Sequence, residues 1–126
     1  MARILIIDDE ALFRKMLRQM LEMAGYEVLE AANGEQGIAM FTAQPTDLVI
    51  TDIFMPEKEG ISTIQDLRRD FPNLKIMAVT GGGYKRRGFE YLQFADKVGA
   101  DCVLRKPFER QELLDAVQQL LTPQTR

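Results

Sequence analysis

A chain of 126 residues with 46% hydrophobic and 28% charged residues has the size and composition of one soluble globular domain, here spanning residues 1–126. Its net charge of -3 argues against a nucleic-acid partner, and the apolar run Ile4–Ile7 is far too short for a signal core or membrane span, so a cytoplasmic protein is expected. The absence of histidine excludes a His-based metal site, a Ser-His-Asp triad and a phosphohistidine carrier, while the single Cys102 excludes an internal disulfide and a cysteine-built metal site.

Ile4-Leu5-Ile6-Ile7 is wholly apolar, the habit of a central strand in a parallel sheet, and it runs into Asp8-Asp9-Glu10. From Ala11 to Ala24 the residues Leu12, Phe13, Met16, Leu17, Met20 and Leu21 recur at helical spacing, with Arg14, Lys15, Arg18, Gln19 and Glu22 on the opposite face. Gly25 supplies the stop. Tyr26 to Ala31 alternates, with Tyr26, Val28 and Glu30 on one side, and suits an edge strand. Asn33-Gly34 forms a turn, and a helix with Ile38 and Phe41 inward ends by Pro45. Leu48-Val49-Ile50-Thr51-Asp52 is the second strongly apolar run and ends on a carboxylate, with Pro56 and Gly60 punctuating the next segment.

A third helix is predicted from about Ile61 to Asp70, stopping before Pro72. Leu74 to Thr80 is another apolar strand. Gly81-Gly82-Gly83 then opens a long connection carrying Lys85, Arg86 and Arg87, and a helix around 89–98 comes next, closed by Gly99. The strand Cys102–Leu104, in which Cys102 reads as a small apolar residue, leads into Arg105-Lys106-Pro107. The last helix, Arg110–Leu121, buries Leu113, Leu114, Val117, Leu120 and Leu121. A polar tail comes after it and, with Met1, suggests a complete chain.

Five strands alternating with five helices predict an α/β, flavodoxin-like doubly wound parallel sheet with helices on both faces. With the first and third strands central and the second at an edge, the order is 2-1-3-4-5. That order gathers Asp8, Asp9, Asp52, Thr80 and Lys106 at the carboxyl end of the sheet, where ligands collect in such folds. Adjacent strands lie about 5 Å apart, so the three aspartates crowd together and raise one another's pKa unless a cation offsets them. Mg²⁺ takes carboxylate oxygens and keeps sites for a phosphate-bearing partner. Asp52 is then the nucleophile, with Mg²⁺ held by Asp9 and Asp52, by Asp8 through water, and by the backbone carbonyl of Phe54. Lys106 offers a point charge to a phosphoryl oxygen, and Thr80 offers its hydroxyl. Each feature has a plainer use as well: paired acids suit a helix dipole, and a Thr at a strand end or a Lys before Pro is commonly structural.

Asp8-Asp9, Asp52 with Met55-Pro56 and Gly60 after it, Thr80, and Lys106-Pro107-Phe108 together resemble the receiver domain of two-component response regulators, over essentially the whole chain. The resemblance implies a phosphoryl group taken from a phosphohistidine on a sensor histidine kinase or phosphotransfer protein, Mg²⁺ dependence, a reversible switch, and a downstream protein partner. It implies a phosphoacceptor, not an enzyme with a separate turnover substrate. In the family, the Thr at the position of Thr80 moves inward on phosphorylation, and an aromatic residue on the fifth strand moves with it. Here that position is Val103, so the switch cannot operate in its usual form. Glu59 and Gly81 are milder departures, and the Gly-rich segment carrying Lys85, Arg86 and Arg87 reads first as a flexible loop, with a partner-docking patch on the output face as the functional alternative.

Three other readings compete. A phosphatase with an Asp nucleophile wants a second Asp two residues on, where this chain has Phe54. A flavin carrier wants a phosphate loop after the first strand, where Asp8-Asp9-Glu10 would repel it. A receiver-like binding module working without phosphorylation is kept open by Val103. The apolar Phe54 beside Asp52 should hinder an attacking water. Phospho-Asp52 is therefore expected to decay more slowly in the wild type than in Phe54→Asn, measured by loss of the phosphoryl mass. Equal or faster decay in the wild type contradicts this.

Overall fold

The computed structural model describes residues 2–53, 59–80 and 99–122. Its elements in chain order are β1 (Arg3–Ile7), α1 (Ala11–Met23), β2 (Glu27–Ala31), α2 (Gly34–Ala43), β3 (Leu48–Asp52), α3 (Glu59–Asp70), β4 (Lys75–Thr80), β5 (Cys102–Arg105) and α4 (Arg110–Leu121). The strands form one parallel sheet in the order β2-β1-β3-β4-β5, as the distribution of apolar runs predicts. Four helices are seen among the described residues. The helix expected around 89–98 and the Lys85–Arg87 patch lie outside them.

The continuous apolar runs arise from burial on both sheet faces. Leu5, Ile7, Val49, Ile76 and Ala78 point to one side and pack with Phe41, Ile64 and Leu67 of α2 and α3. Ile4, Ile6, Leu48, Ile50, Met77 and Val79 point to the other and pack with Leu17, Leu21, Leu113 and Val117 of α1 and α4. Each large side chain among them, fully buried, stabilises the fold by roughly 1.5–3 kcal/mol. The edge strand β2 buries only Val28 and Ala31.

Three helix readings need correction. The apolar stripe predicted for α1 is too wide: Leu17 and Leu21 are buried, but Leu12 is 85% and Met16 39% exposed. Those six apolar residues cover roughly half the helix circumference at about 100° per residue, and only the part centred on Leu17 and Leu21 meets the sheet. Asn33 is not merely a turn residue. It is the N-cap of α2, its side-chain oxygen accepting from the Gln36 amide at 2.8 Å. At the last helix, Leu113 and Val117 are fully buried, whereas Leu114, Leu120 and Leu121 only fringe the core.

At the amino end of the sheet Arg68 of α3 ties three segments together. Its guanidinium donates to the Gly99 carbonyl (2.8 and 3.0 Å), to the carbonyls of Pro72 (2.8 Å) and Leu74 (2.7 Å), and to Asp101 Oδ2 (2.8 Å). Asp101 Oδ2 also accepts from the Ile76 amide at 2.8 Å, so one fork holds the starts of β4 and β5. Gly99 has φ +101°, and a Cβ there would lie 3.0 Å from Arg68 Cγ, so glycine serves both the turn and the staple. Arg68→Ala is expected to lower unfolding free energy by about 3 kcal/mol in a denaturant melt, and Arg68→Lys to recover little of it. A loss within about 0.5 kcal/mol of wild type would contradict this role.

Candidate functional site

The strand register builds the site. Ile7 pairs with Thr51 and Asp52 with Val79, so the residues leaving β1 and closing β3 and β4 share one rim of the sheet. The Asp8 amide donates to Ala31 O at 3.1 Å and the Ile53 amide to Val79 O at 2.9 Å. The Lys106 amide donates to Thr80 O at 2.9 Å, which brings the turn after β5 to the same rim. Gly60 at the start of α3 is a third constraint: a Cβ there would collide with the Asp52 carbonyl and sit 2.8 Å from Ile53 Cα. Only glycine lets that helix pass so close behind β3.

On this frame Asp8, Asp9 and Asp52 each present a carboxylate oxygen, and these oxygens lie within 4.8 Å of one another. Asp8 and Asp52 are buried and Asp9 is exposed. An all-oxygen set of this kind fits a hard divalent cation such as Mg²⁺. The Lys106 ammonium lies 3.5 Å from Asp52 Oδ2, 3.8 Å from Asp8 Oδ2 and 3.7 Å from Glu10 Oε1. Thr80 is 1% exposed, and its hydroxyl has no hydrogen-bond partner among the described residues. A buried hydroxyl left unmatched is costly, and a phosphoryl oxygen would satisfy it.

Glu10, the N-cap of α1, makes no side-chain cap bond, and the first turn holds no acidic residue. Asp8 Oδ1 instead accepts from the Glu10 amide at 2.8 Å, which fixes the carboxylate on the sheet rim. Of the residues singled out from the sequence, Asp8, Asp9, Asp52 and Lys106 stand together. Thr80 closes the neighbouring strand, and Phe54 lies outside the described residues. Val103 is half-buried on β5 beside Ala78, packed against the α3-side core.

Sequence reasoning missed the support around these groups. Arg14, assigned to the solvent face of α1, donates to the Asp8 carbonyl at 2.6 Å and to Glu30 at 2.9 Å. Arg18 also binds Glu30, at 2.8 Å. The Arg18 hydrogen bond, with Arg14 beside it, holds the Glu30 carboxyl below its usual range against the opposing effect of burial. A charged residue at an inward position of β2 was the available signal. Phe13 lies over Lys106, its ring centroid 3.7 Å from Nζ, although its spacing marked it only as core.

Comparison with known proteins points the same way. The profile of the response regulator receiver domain matches residues 4–118. Chemotaxis protein CheY of Thermotoga maritima is 35% identical over 119 residues, covering 94% of this chain and 96% of that protein. The phosphate regulon regulatory protein PhoB of Pseudomonas aeruginosa is 38% identical over 120 residues, covering 94% of this chain but 51% of PhoB. The chain thus spans about half the length of several curated relatives it matches. A solved receiver domain protein from Clostridium thermocellum superposes with a TM-score of 0.85 at 32% identity, covering 96% of this chain and 94% of that one. Chemotaxis protein CheY4 of Vibrio cholerae gives a TM-score of 0.87 at 31% identity, over 96% and 99% of the two chains.

The crowding has a thermodynamic consequence. Burial first, then the charges of Asp52 and Asp9, push the Asp8 carboxyl up to about 6, against the lowering effects of the Glu10 amide and Lys106. A carboxyl that holds its proton more tightly folded than unfolded costs stability once it ionises. The cost is absent below the unfolded value of 3.8 and complete above about 6. In metal-free protein Asp8→Asn, which keeps the acceptor for the Glu10 amide, is expected to raise stability by about 2–3 kcal/mol near neutral pH. The gain should vanish towards pH 4, as monitored by thermal melts at both pH values. An equal gain at both would refute the charge origin.

Proposed function

Because the chain belongs to the response regulator receiver domain family, we propose that residues 1–126 act as a phosphorylation-dependent signalling receiver. Asp52 accepts a phosphoryl group from a phosphohistidine on a sensor histidine kinase or phosphotransfer protein, and a downstream protein reads the change. The observation that carries this reading is the joint presence of a buried acid cluster, a lysine 3.5 Å from Asp52 and a buried hydroxyl without a partner among the described residues. Asp52 Oδ attacks phosphorus as the phosphorus–nitrogen bond of the donor breaks, its electrons leaving on the imidazole. Lys106, paired with Asp52 at 3.5 Å beforehand, then faces the phosphoryl oxygens. Thr80 donates its hydroxyl to the bound phosphoryl group. Mg²⁺, when bound by Asp8, Asp9, Asp52 and the Phe54 carbonyl, supplies charge neutralisation to the same oxygens. The chain is a phosphoacceptor that gains and loses one group, with no separate substrate to turn over.

No helix among the described residues is long and apolar enough to cross a membrane. Some relatives are transcriptional regulatory proteins by name, but with the chain spanning about half of them, DNA binding is not assigned to it. A second reading, a binding module working without phosphorylation, is favoured only by Val103, too short for the family's aromatic switch. Mass spectrometry after incubation with acetyl phosphate and Mg²⁺ separates the two. A gain of one phosphoryl group is expected in the wild type and none in Asp52→Asn. No gain in the wild type would favour the second reading, and a gain in Asp52→Asn would misplace the acceptor.

A further inference from the structure

We propose that Phe13 is a positioning residue for Lys106, its ring forming the fourth wall of a cage that keeps the ammonium within reach of Asp52. The proposal rests on the phosphoacceptor reading above. The ammonium has carboxylates of Asp52, Glu10 and Asp8 at 3.5, 3.7 and 3.8 Å. Glu10 is the outlier of the three: its side chain is 69% exposed, against 2% for Asp8 and 7% for Asp52. A flexible lysine drawn towards Glu10 would leave the nucleophile. The Phe13 ring sits 3.7 Å from Nζ and attracts the cation through its negative face while shielding it from water.

The ring is itself held. Phe108, two residues beyond Lys106, meets it edge-on with centroids 6.0 Å apart and planes at 76°. Both rings pack against the α1 and α4 side of the core. The aromatic pair therefore couples the first turn of α1 to the turn after β5, the segment that carries the lysine. An aliphatic residue of similar volume would fill the same space but offer the ammonium nothing.

Phosphorylation by acetyl phosphate, read by intact-protein mass spectrometry over a Mg²⁺ series, tests the idea. Phe13→Leu is expected to slow phosphorylation at saturating Mg²⁺ by roughly three- to thirtyfold, with half-saturating Mg²⁺ within about twofold of wild type. Phe13→Tyr, which keeps a ring face, should restore the rate. In a Lys106→Met background Phe13→Leu should produce no further slowing, because the ring then has no cation to hold. An unchanged rate in Phe13→Leu, or the same loss with Lys106 absent, would overturn the proposal. A second readout does not depend on phosphorylation. The ring current should move the Lys106 ε-methylene protons upfield in wild type and Phe13→Tyr, and not in Phe13→Leu. Absence of that shift in the wild type also overturns it. Failure of the wild type to gain a phosphoryl group would instead remove the phosphoacceptor reading, leaving the proton shift to decide the contact.

Discussion

Three carboxylates drawn together at one rim of a parallel sheet, faced by a lysine, impose the constraint around which this fold is arranged. Their oxygens lie within 4.8 Å of one another, and two of the three are buried. Hydrophobic packing supplies the stability that tolerates this repulsion. Ile4 to Ile7 and Leu48 to Ile50 are at most 1% exposed, so the strands that deliver Asp8 and Asp52 are deeply set in the core. The destabilised rim and the apolar strands behind it belong to one design, in which packing energy holds charges where a cation and a phosphoryl group can relieve them.

The rim is also braced from outside the acid cluster. Arg14 fixes the Asp8 carbonyl and shares Glu30 with Arg18, linking α1 to the edge strand. Gly60 lets α3 begin directly behind Asp52 and Ile53. At the far end Arg68 ties α3 to the starts of β4 and β5, the strands that end on Thr80 and lead to Lys106.

Much of this was legible in the sequence because the informative signals were local. Unbroken apolar runs ending in Asp8-Asp9, Asp52 and Thr80 mark central strands and place polar groups at one end. Parallel topology does the rest. What escaped were contacts between residues distant in sequence. Phe13 and Lys106 are ordinary residues until the fold stacks one on the other, and nothing local sets Arg14 apart from its neighbours on α1. The breadth of the α1 stripe misled for a related reason: periodicity shows that an apolar arc exists, not how much of it the sheet covers. Leu12 and Met16 lie on the uncovered part. Val103 was readable as a departure from the family, and its place beside Ala78 shows a small residue packed on the core rather than a ring able to swing.

We propose that Asp8, Asp9 and Asp52 hold a divalent cation against a phosphoryl group on Asp52, with Lys106 and Thr80 completing the pocket. A crystal structure of the protein grown with Mg²⁺ and fluoroberyllate, which mimics an acyl phosphate on a carboxylate, tests it most directly. Beryllium bonded to an Asp52 carboxylate oxygen, Mg²⁺ among the three aspartates, and fluorines contacted by the Lys106 ammonium and the Thr80 hydroxyl are expected. Fluoroberyllate on another carboxylate, or Mg²⁺ bound away from Asp9 and Asp52, would contradict it.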